Sequence, residues 1–311
     1  MADYQVADYH KVDIFSAESL KFFAESIIKE YLPEEDKFTY PVSEAMNYAM
    51  TGGGKRLRPI LMYLTYKAFG GEKKTVEPFM AGIEMIHNYS LVHDDILDHD
   101  MQRHGKPSVH AAYGIDMAIL CGDGLLNYAY ETAAKAFAMT DEDSELRAVC
   151  RAYALFTQKP GINGMIGGQT ADVYMSGKEI DESYIDYIYE NKTSALIECS
   201  MMIGAILAGT DEKKVSNIEK AASDIGFAFQ VQDDILDVEG DEKSLGKSVG
   251  QDADNDKYTY VRIHGLDSSK DYVMKKTEEA DTLLKNTLAE YDNDYKNALI
   301  KLVMSLAGRK M

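Results

Sequence analysis

The chain has 311 residues, 45% of them hydrophobic, which is enough for a sizeable core. Lys and Arg number 33 against 52 Asp and Glu, and the resulting net charge of −19 argues against binding nucleic acid or an anionic membrane. The three cysteines, Cys121, Cys150 and Cys199, show no zinc or disulfide spacing and fit a reducing, cytoplasmic setting.

Apolar residues recur at helical spacing almost throughout, and only six prolines interrupt them. The first predicted helix runs from Val12 to Tyr31 and stops near Pro33. A short one over Val42–Met50 ends at Gly52-Gly53-Gly54. Pro59 suits the first turn of the next, which closes at Gly70-Gly71. A long helix covers Val76 to about Leu97, and Asp98–Gly114 reads as a loop. Helices follow over Asp116–Met139, Glu145–Gln158 and Gly161–Met175. Asp181–Ala208 is a long helix with a possible break. Val215–Asp237 is another, followed by a polar loop over Glu239–Asp256. Lys257–His264, Lys270–Leu288 and Asp292–Leu306 complete the set. No run alternates with period two, so strands should be few or absent. The acidic start Met1-Ala2-Asp3 reads as neither signal nor transit peptide. The most apolar run, around Met201–Ala208, is too short for a transmembrane segment. The expectation is one all-α domain spanning 1–311, built as a helical bundle.

The pentapeptide Asp-Asp-Ile-Leu-Asp occurs twice, at Asp94–Asp98 and Asp233–Asp237, near the end of a long predicted helix each time. Its first and last carboxylates lie four residues apart and share a helix face. Two carboxylates about 4 Å apart repel by ~4 kcal/mol at an effective dielectric near 20, so such a cluster calls for a cation. Mg²⁺ suits it, because it takes oxygen ligands, keeps several waters and is completed by substrate phosphates. Zinc would prefer His or Cys. His93 and His99 flank the first copy and read as packing or supporting groups. Basic residues stand close by in an acidic chain. Gly52–Pro59 places three cations in a Gly-rich turn that opens a helix, a setting that offers backbone N–H groups to an anion. Arg103-His104 follows the first acid motif. Lys192-Thr193 lies in a predicted helix, and Lys247 and Lys257 follow the second acid motif. Together they suggest a site for a metal-bound diphosphate.

These pieces resemble the trans-polyprenyl diphosphate synthase family over nearly the whole chain and in the same order. They are GGGKRLRP at Gly52–Pro59, HNYSLVHDDILD at His87–Asp98, RHGKPS at Arg103–Ser108, GDGLLN at Gly122–Asn127 and GGQTAD at Gly167–Asp172. KT at Lys192-Thr193, GFAFQVQDDILD at Gly226–Asp237 and GKSVGQDADNDKYTY at Gly246–Tyr260 complete the order. The resemblance implies an isoprenoid synthase-like helical bundle with a central cavity, and a homodimer. It implies Mg²⁺ held by Asp94, Asp98 and Asp233, with Asp95, Asp234 and Asp237 in support. Arg103, Lys192 and Lys247 would hold an allylic diphosphate, with Thr193, Gln230 and Lys257 nearby. Gly54, Lys55, Arg58 and His87 would hold isopentenyl diphosphate. The implied reaction is head-to-tail prenyl transfer. A terpene cyclase-like enzyme that ionises an allylic diphosphate alone, and a non-catalytic partner subunit, are the alternatives. Intact Lys55 and Arg58 argue against the first, and six retained aspartates against the second.

The family usually has a second Arg where this chain has His104. Histidine is only partly charged near neutral pH and lacks the guanidinium fork, so isopentenyl diphosphate should bind more weakly and better as pH falls. Product length is expected to be set on the helix before Asp94, by Tyr89 and Ser90 first, then Ile86 and Ile83. A bulky Tyr89 and the lack of a two-residue insertion in the first motif predict a C15 or C20 product.

Overall fold

The computed structural model describes residues 12–179, 181–239 and 258–307. Helices carry nearly all of them, so the all-α reading holds. The chain forms two compact units. One takes residues up to Tyr63 together with Glu72–Tyr153, and the other takes Leu64–Gly71 together with residues from Ala154 onward.

The helices are α1 Ala17–Glu30, α2 Tyr40–Thr51, α3 Leu57–Ala68, α4 Glu77–Leu97, α5 Val109–Tyr113, α6 Ile115–Ala134 and α7 Asp143–Gln158. They continue as α8 Met165–Met175, α9 Glu182–Ile188, α10 Ala195–Leu207, α11 Glu212–Glu239, α12 Tyr260–His264, α13 Leu266–Thr287 and α14 Asp294–Ala307. In the first unit α4 packs along α6. Its Phe79, Met80, Ile83, Met85 and Ile86 are fully buried. In the second unit α11 packs along α10 and α13.

Local chemistry sets the boundaries. α1 starts later than apolar periodicity predicts, because the Asp13 carboxylate accepts from the Phe15 N–H at 3.0 Å and Ser16 caps the helix through the Ser19 N–H. Pro41 and Pro78 sit in the first turns of α2 and α4. α8 starts at Met165, after a tight turn in which a Cβ on Gly164 would lie 2.0 Å from the Lys159 carbonyl oxygen.

Two departures matter for function. The helix expected over Asp181–Ala208 is not broken. It widens into a π-turn at Tyr189–Ser194 between α9 and α10. The loop after Asp98 contains a small hairpin, β1 Gln102–Arg103 paired antiparallel with β2 Lys106–Pro107. Its two turn residues, His104 and Gly105, both have positive φ, at 50° and 76°. That is the geometry that suits a two-residue hairpin, and His is among the residues that tolerate it. Most of the loop expected over Glu239–Asp256, with Lys247, lies outside the described residues, as does Lys257.

Candidate active site

In the first unit, helix geometry sorts the three aspartates of α4. Asp94 is half-buried and Asp98 exposed, whereas Asp95 is 2% exposed. Asp98 closes the helix, its N–H donating to the Asp94 carbonyl at 2.8 Å. Asp95 turns inward and accepts two hydrogen bonds from Arg103, the one from Nε at 2.9 Å. Asp100 lies 3.8 Å from the same guanidinium. Burial pushes the Asp95 carboxyl up, and Arg103 partly offsets it.

The three cations of Gly52–Pro59 have different positions. Arg56, at φ 53°, points inward. It donates to Glu84 at 2.8 Å and to the Met50 carbonyl at 2.5 Å, and it lies 3.4 Å from Glu25. Lys55 is exposed. Arg58 is more deeply set: burial lowers its pKa to about 10, with Glu84 opposing, and its Nε has no hydrogen-bond partner among the described residues. His87 on α4 is held well below its ordinary pKa by burial first, then by Arg58, Arg56, Arg103 and His104. His104 lies against the glycine turn, its ring 3.7 Å from a Cβ built on Gly53 and 3.6 Å from one on Gly54. Burial, Arg103 and Arg56 lower its pKa too. Arg58, His87, Arg103 and His104 thus form one basic cradle beside Gly54, in which the arginines disfavour charge on the two histidines, a strain that a bound anion relieves. The Arg56–Glu84 anchor was missed by sequence reasoning, since the three cations look equivalent in the primary structure.

Tyr89 is 6% exposed and packs edge-on against His93, with ring centroids 5.7 Å apart. Burial, with Tyr130 nearby, raises its pKa to about 12. His93 leans on α6, where a Cβ on Gly122 would lie 2.1 Å from its Nε2. Ile86 is fully buried, and the Ser90 hydroxyl donates to the His87 carbonyl at 2.7 Å.

The second unit joins α11 to the π-turn. Lys192 donates to Asp172 at 2.6 Å, and Thr193 donates to the Gln230 side-chain oxygen at 2.8 Å. Asp234 is buried. It accepts from the Tyr189 hydroxyl and, at 3.1 Å, from the Tyr260 N–H that opens α12. Asp233 is half-buried and Asp237 buried. Asp172, Lys192, Thr193, Gln230, Asp234 and Tyr258 line one pocket. Two glycines make room for the turn. A Cβ on Gly168 would lie 2.2 Å from the Lys192 nitrogen, and one on Gly226 2.6 Å from Ser194 Cα. Sequence reasoning did not assign a role to Asp172 or Tyr189, although Asp172 closes the GGQTAD motif.

Among the described residues, no three His, Cys, Asp or Glu side chains converge on a metal-sized point. The donors on offer are the carboxylates of α4 and α11. That fits Mg²⁺, which leans on phosphate and water for the rest of its shell.

The first unit sets the carboxylates of α4 beside a basic cradle, and the second sets those of α11 beside Lys192. Residues 40–301 match the family described as polyprenyl synthetase, and the chain belongs to that family of prenyltransferases. It is 38% identical over 247 residues to a farnesyl diphosphate synthase of Geobacillus stearothermophilus, covering 79% of this chain and 82% of that one. It is also 38% identical over 274 residues to the chloroplastic heterodimeric geranylgeranyl pyrophosphate synthase large subunit 1 of Arabidopsis thaliana, covering 86% and 72%. A geranyltransferase from Helicobacter pylori, solved with magnesium and isoprenyl diphosphate, matches with a TM-score of 0.80 at 26% identity over 98% of each chain. No described helix is long and apolar enough to cross a membrane.

Proposed function

We propose that this protein condenses isopentenyl diphosphate with an allylic diphosphate to give a C15 or C20 prenyl diphosphate. The observation that carries the reading is that each unit places one DDILD helix beside its own basic groups. Arg58, His87, Arg103 and His104 serve the first, and Lys192, with the neutral Thr193 and Gln230 beside it, serves the second.

Asp94, Asp98 and Asp233 are the carboxylates proposed to hold Mg²⁺, with Asp237 in support. Bound there, Mg²⁺ acts as a Lewis acid on the leaving diphosphate. Lys192 and Thr193 grip the allylic diphosphate, with Lys247 and Lys257 assigned to it from sequence. Arg103 adds a fixed charge to stabilise it as it departs. Gly54, Lys55, Arg58 and His87 hold isopentenyl diphosphate. The allylic C–O bond breaks, the isopentenyl double bond attacks the cation, and the released diphosphate takes the proton that restores a double bond. The free thiols of Cys121, Cys150 and Cys199 fit a reducing, cytoplasmic setting. The exposed Ile115, Ile119 and Leu120 on α6 support a homodimer. The test is purified protein with Mg²⁺ and each allylic diphosphate, with and without isopentenyl diphosphate, resolved by chromatography. Elongation only with isopentenyl diphosphate supports the proposal. Cyclised or hydrolysed terpenoids without it point to a cyclase-like enzyme, and no turnover points to a partner subunit.

Two variants test finer points. His104 sits in the basic cradle, where burial, Arg103 and Arg56 lower its pKa, so a bound diphosphate would favour its protonation. The sign follows: KM for isopentenyl diphosphate falls as pH drops from about 8 to 6. His104→Arg should lower KM by about tenfold near neutral pH and flatten the profile. Equal KM values for both proteins at every pH would dismiss His104 as a determinant. Tyr89→Ala removes a buried ring from α4 and should shift the main product to a longer chain, read by chromatography of the dephosphorylated alcohols. If the products stay the same, Tyr89 only packs against His93 and α6.

A further inference from the structure

We propose that a groove on another face of the π-turn is a second ligand site. It takes a small organic amine cation and, when filled, tightens diphosphate binding at Lys192 and Thr193. The site rests on its own lining, whereas the coupling rests on the reading that those two residues grip diphosphate.

The π-turn presents different residues to two cavities of the second unit. Tyr189, Lys192 and Thr193 line the pocket already assigned to diphosphate. Glu190 and Asn191 line a separate groove of about 520 Å³, a volume within the range of small-molecule sites. Lys159, from the turn before α8, Glu198 of α10, and Glu219, Lys220 and Asp224 of α11 line the same groove.

Charge and hydrogen bonding select the ligand class. Four carboxylates of the lining face two ammonium groups, so the groove favours a cation over an anion. Lys159 is already committed, donating to Glu198 and, at 2.9 Å, to Glu219. Asp224 is only 7% exposed. Its Oδ1 accepts from Lys276 of α13 at 2.7 Å, but its buried Oδ2 has no hydrogen-bond partner among the described residues. A buried carboxylate oxygen without a donor is costly, and a ligand N–H relieves it. A bare metal ion suits the groove less, because no three His, Cys, Asp or Glu of the described residues converge on one point. An ammonium group needs no converged shell, since its hydrogens go separately to spaced acceptors. The Asn191 side-chain nitrogen donates to the Tyr187 carbonyl at 2.9 Å, which leaves the amide oxygen as a further acceptor. Glu190 and Asn191 immediately precede Lys192. A cation held by them braces the turn and adds positive charge behind the residues that receive the diphosphate. Such coupling is reciprocal, so diphosphate tightens amine binding by the same factor.

The test uses 1,4-diaminobutane, titrated calorimetrically into the full chain with Mg²⁺ and about 0.15 M salt, which screens loose pairing with the acidic surface. Saturable binding at one site is expected, weakened about tenfold in Asp224→Asn and in Glu190→Gln. No binding, or equal binding in the wild type and both variants, overturns the site, because the second result is attraction to net charge alone. Glu190 is exposed, so Glu190→Gln keeps the test readable if Asp224→Asn, which also strips Lys276 of its partner, fails to fold. For the coupling, the Kd of inorganic diphosphate with Mg²⁺ should fall about fivefold when the amine saturates the wild type. It should stay unchanged in Glu190→Gln, a comparison that removes any pairing of amine with diphosphate in solution. Equal Kd values with and without amine in the wild type overturn the coupling. A chain that binds the amine but elongates no prenyl chain refutes the proposed function and leaves the site standing.

Discussion

Gly168→Ala is expected to lower kcat/KM for the allylic diphosphate by about 100-fold, the scale set by misplacing a binding group by roughly 1 Å. The added methyl would lie 2.2 Å from the Lys192 nitrogen and 2.8 Å from both the Asn191 carbonyl carbon and Lys192 Cα. These are backbone atoms, so no side-chain rotation relieves the clash. The π-turn must move, and it carries Lys192 and Thr193. Gly226→Ala presses on the same turn from α11, where Ser194 Oγ and Cα would lie 2.5 and 2.6 Å from the new Cβ. Steady-state kinetics with varied allylic substrate, alongside thermal melts, separate a displaced turn from a loss of fold. Unaltered kinetics in both variants would mean that the turn does not position Lys192 and Thr193.

Arg56→Met should destabilise the protein by about 3–5 kcal/mol, because it leaves Glu84 buried without its counter-charge. Arg56 is 4% exposed and Glu84 2%. The guanidinium also donates to the Met50 carbonyl at the end of α2, so it anchors the glycine turn. The double variant Arg56→Met/Glu84→Leu should recover part of the loss, since the pair itself then leaves no orphaned charge, while Arg58 loses Glu84 as its counter-charge. Urea unfolding measures both. A loss below about 1 kcal/mol for Arg56→Met would show that Glu84 finds water or another partner.

The contrast between Arg56 and Arg58 shows where sequence legibility ends. Apolar periodicity and Gly/Pro punctuation mark nearly every helix, and the two DDILD copies fall near helix ends as their spacing requires. The cradle was legible as a set of residue types. Its internal division of labour was not. Which arginine turns inward depends on the positive φ at Arg56 and on Glu84, 28 residues away. The π-turn was legible only as a possible break. Its register is fixed by close approach to Gly168 and Gly226, which are distant in sequence, and local periodicity carries no trace of that. The tie between Asp234 and Tyr189 spans 45 residues. The hairpin escaped notice because two-residue strands are too short to alternate.

The most direct test of prenyl transfer follows radiolabel from isopentenyl diphosphate into product. The protein is incubated with geranyl diphosphate and labelled isopentenyl diphosphate, with Mg²⁺ or with a chelator. Label is predicted in a C15 or C20 diphosphate, only with Mg²⁺ present and the allylic primer supplied. Label that stays in isopentenyl diphosphate while geranyl diphosphate is hydrolysed or cyclised would contradict the account.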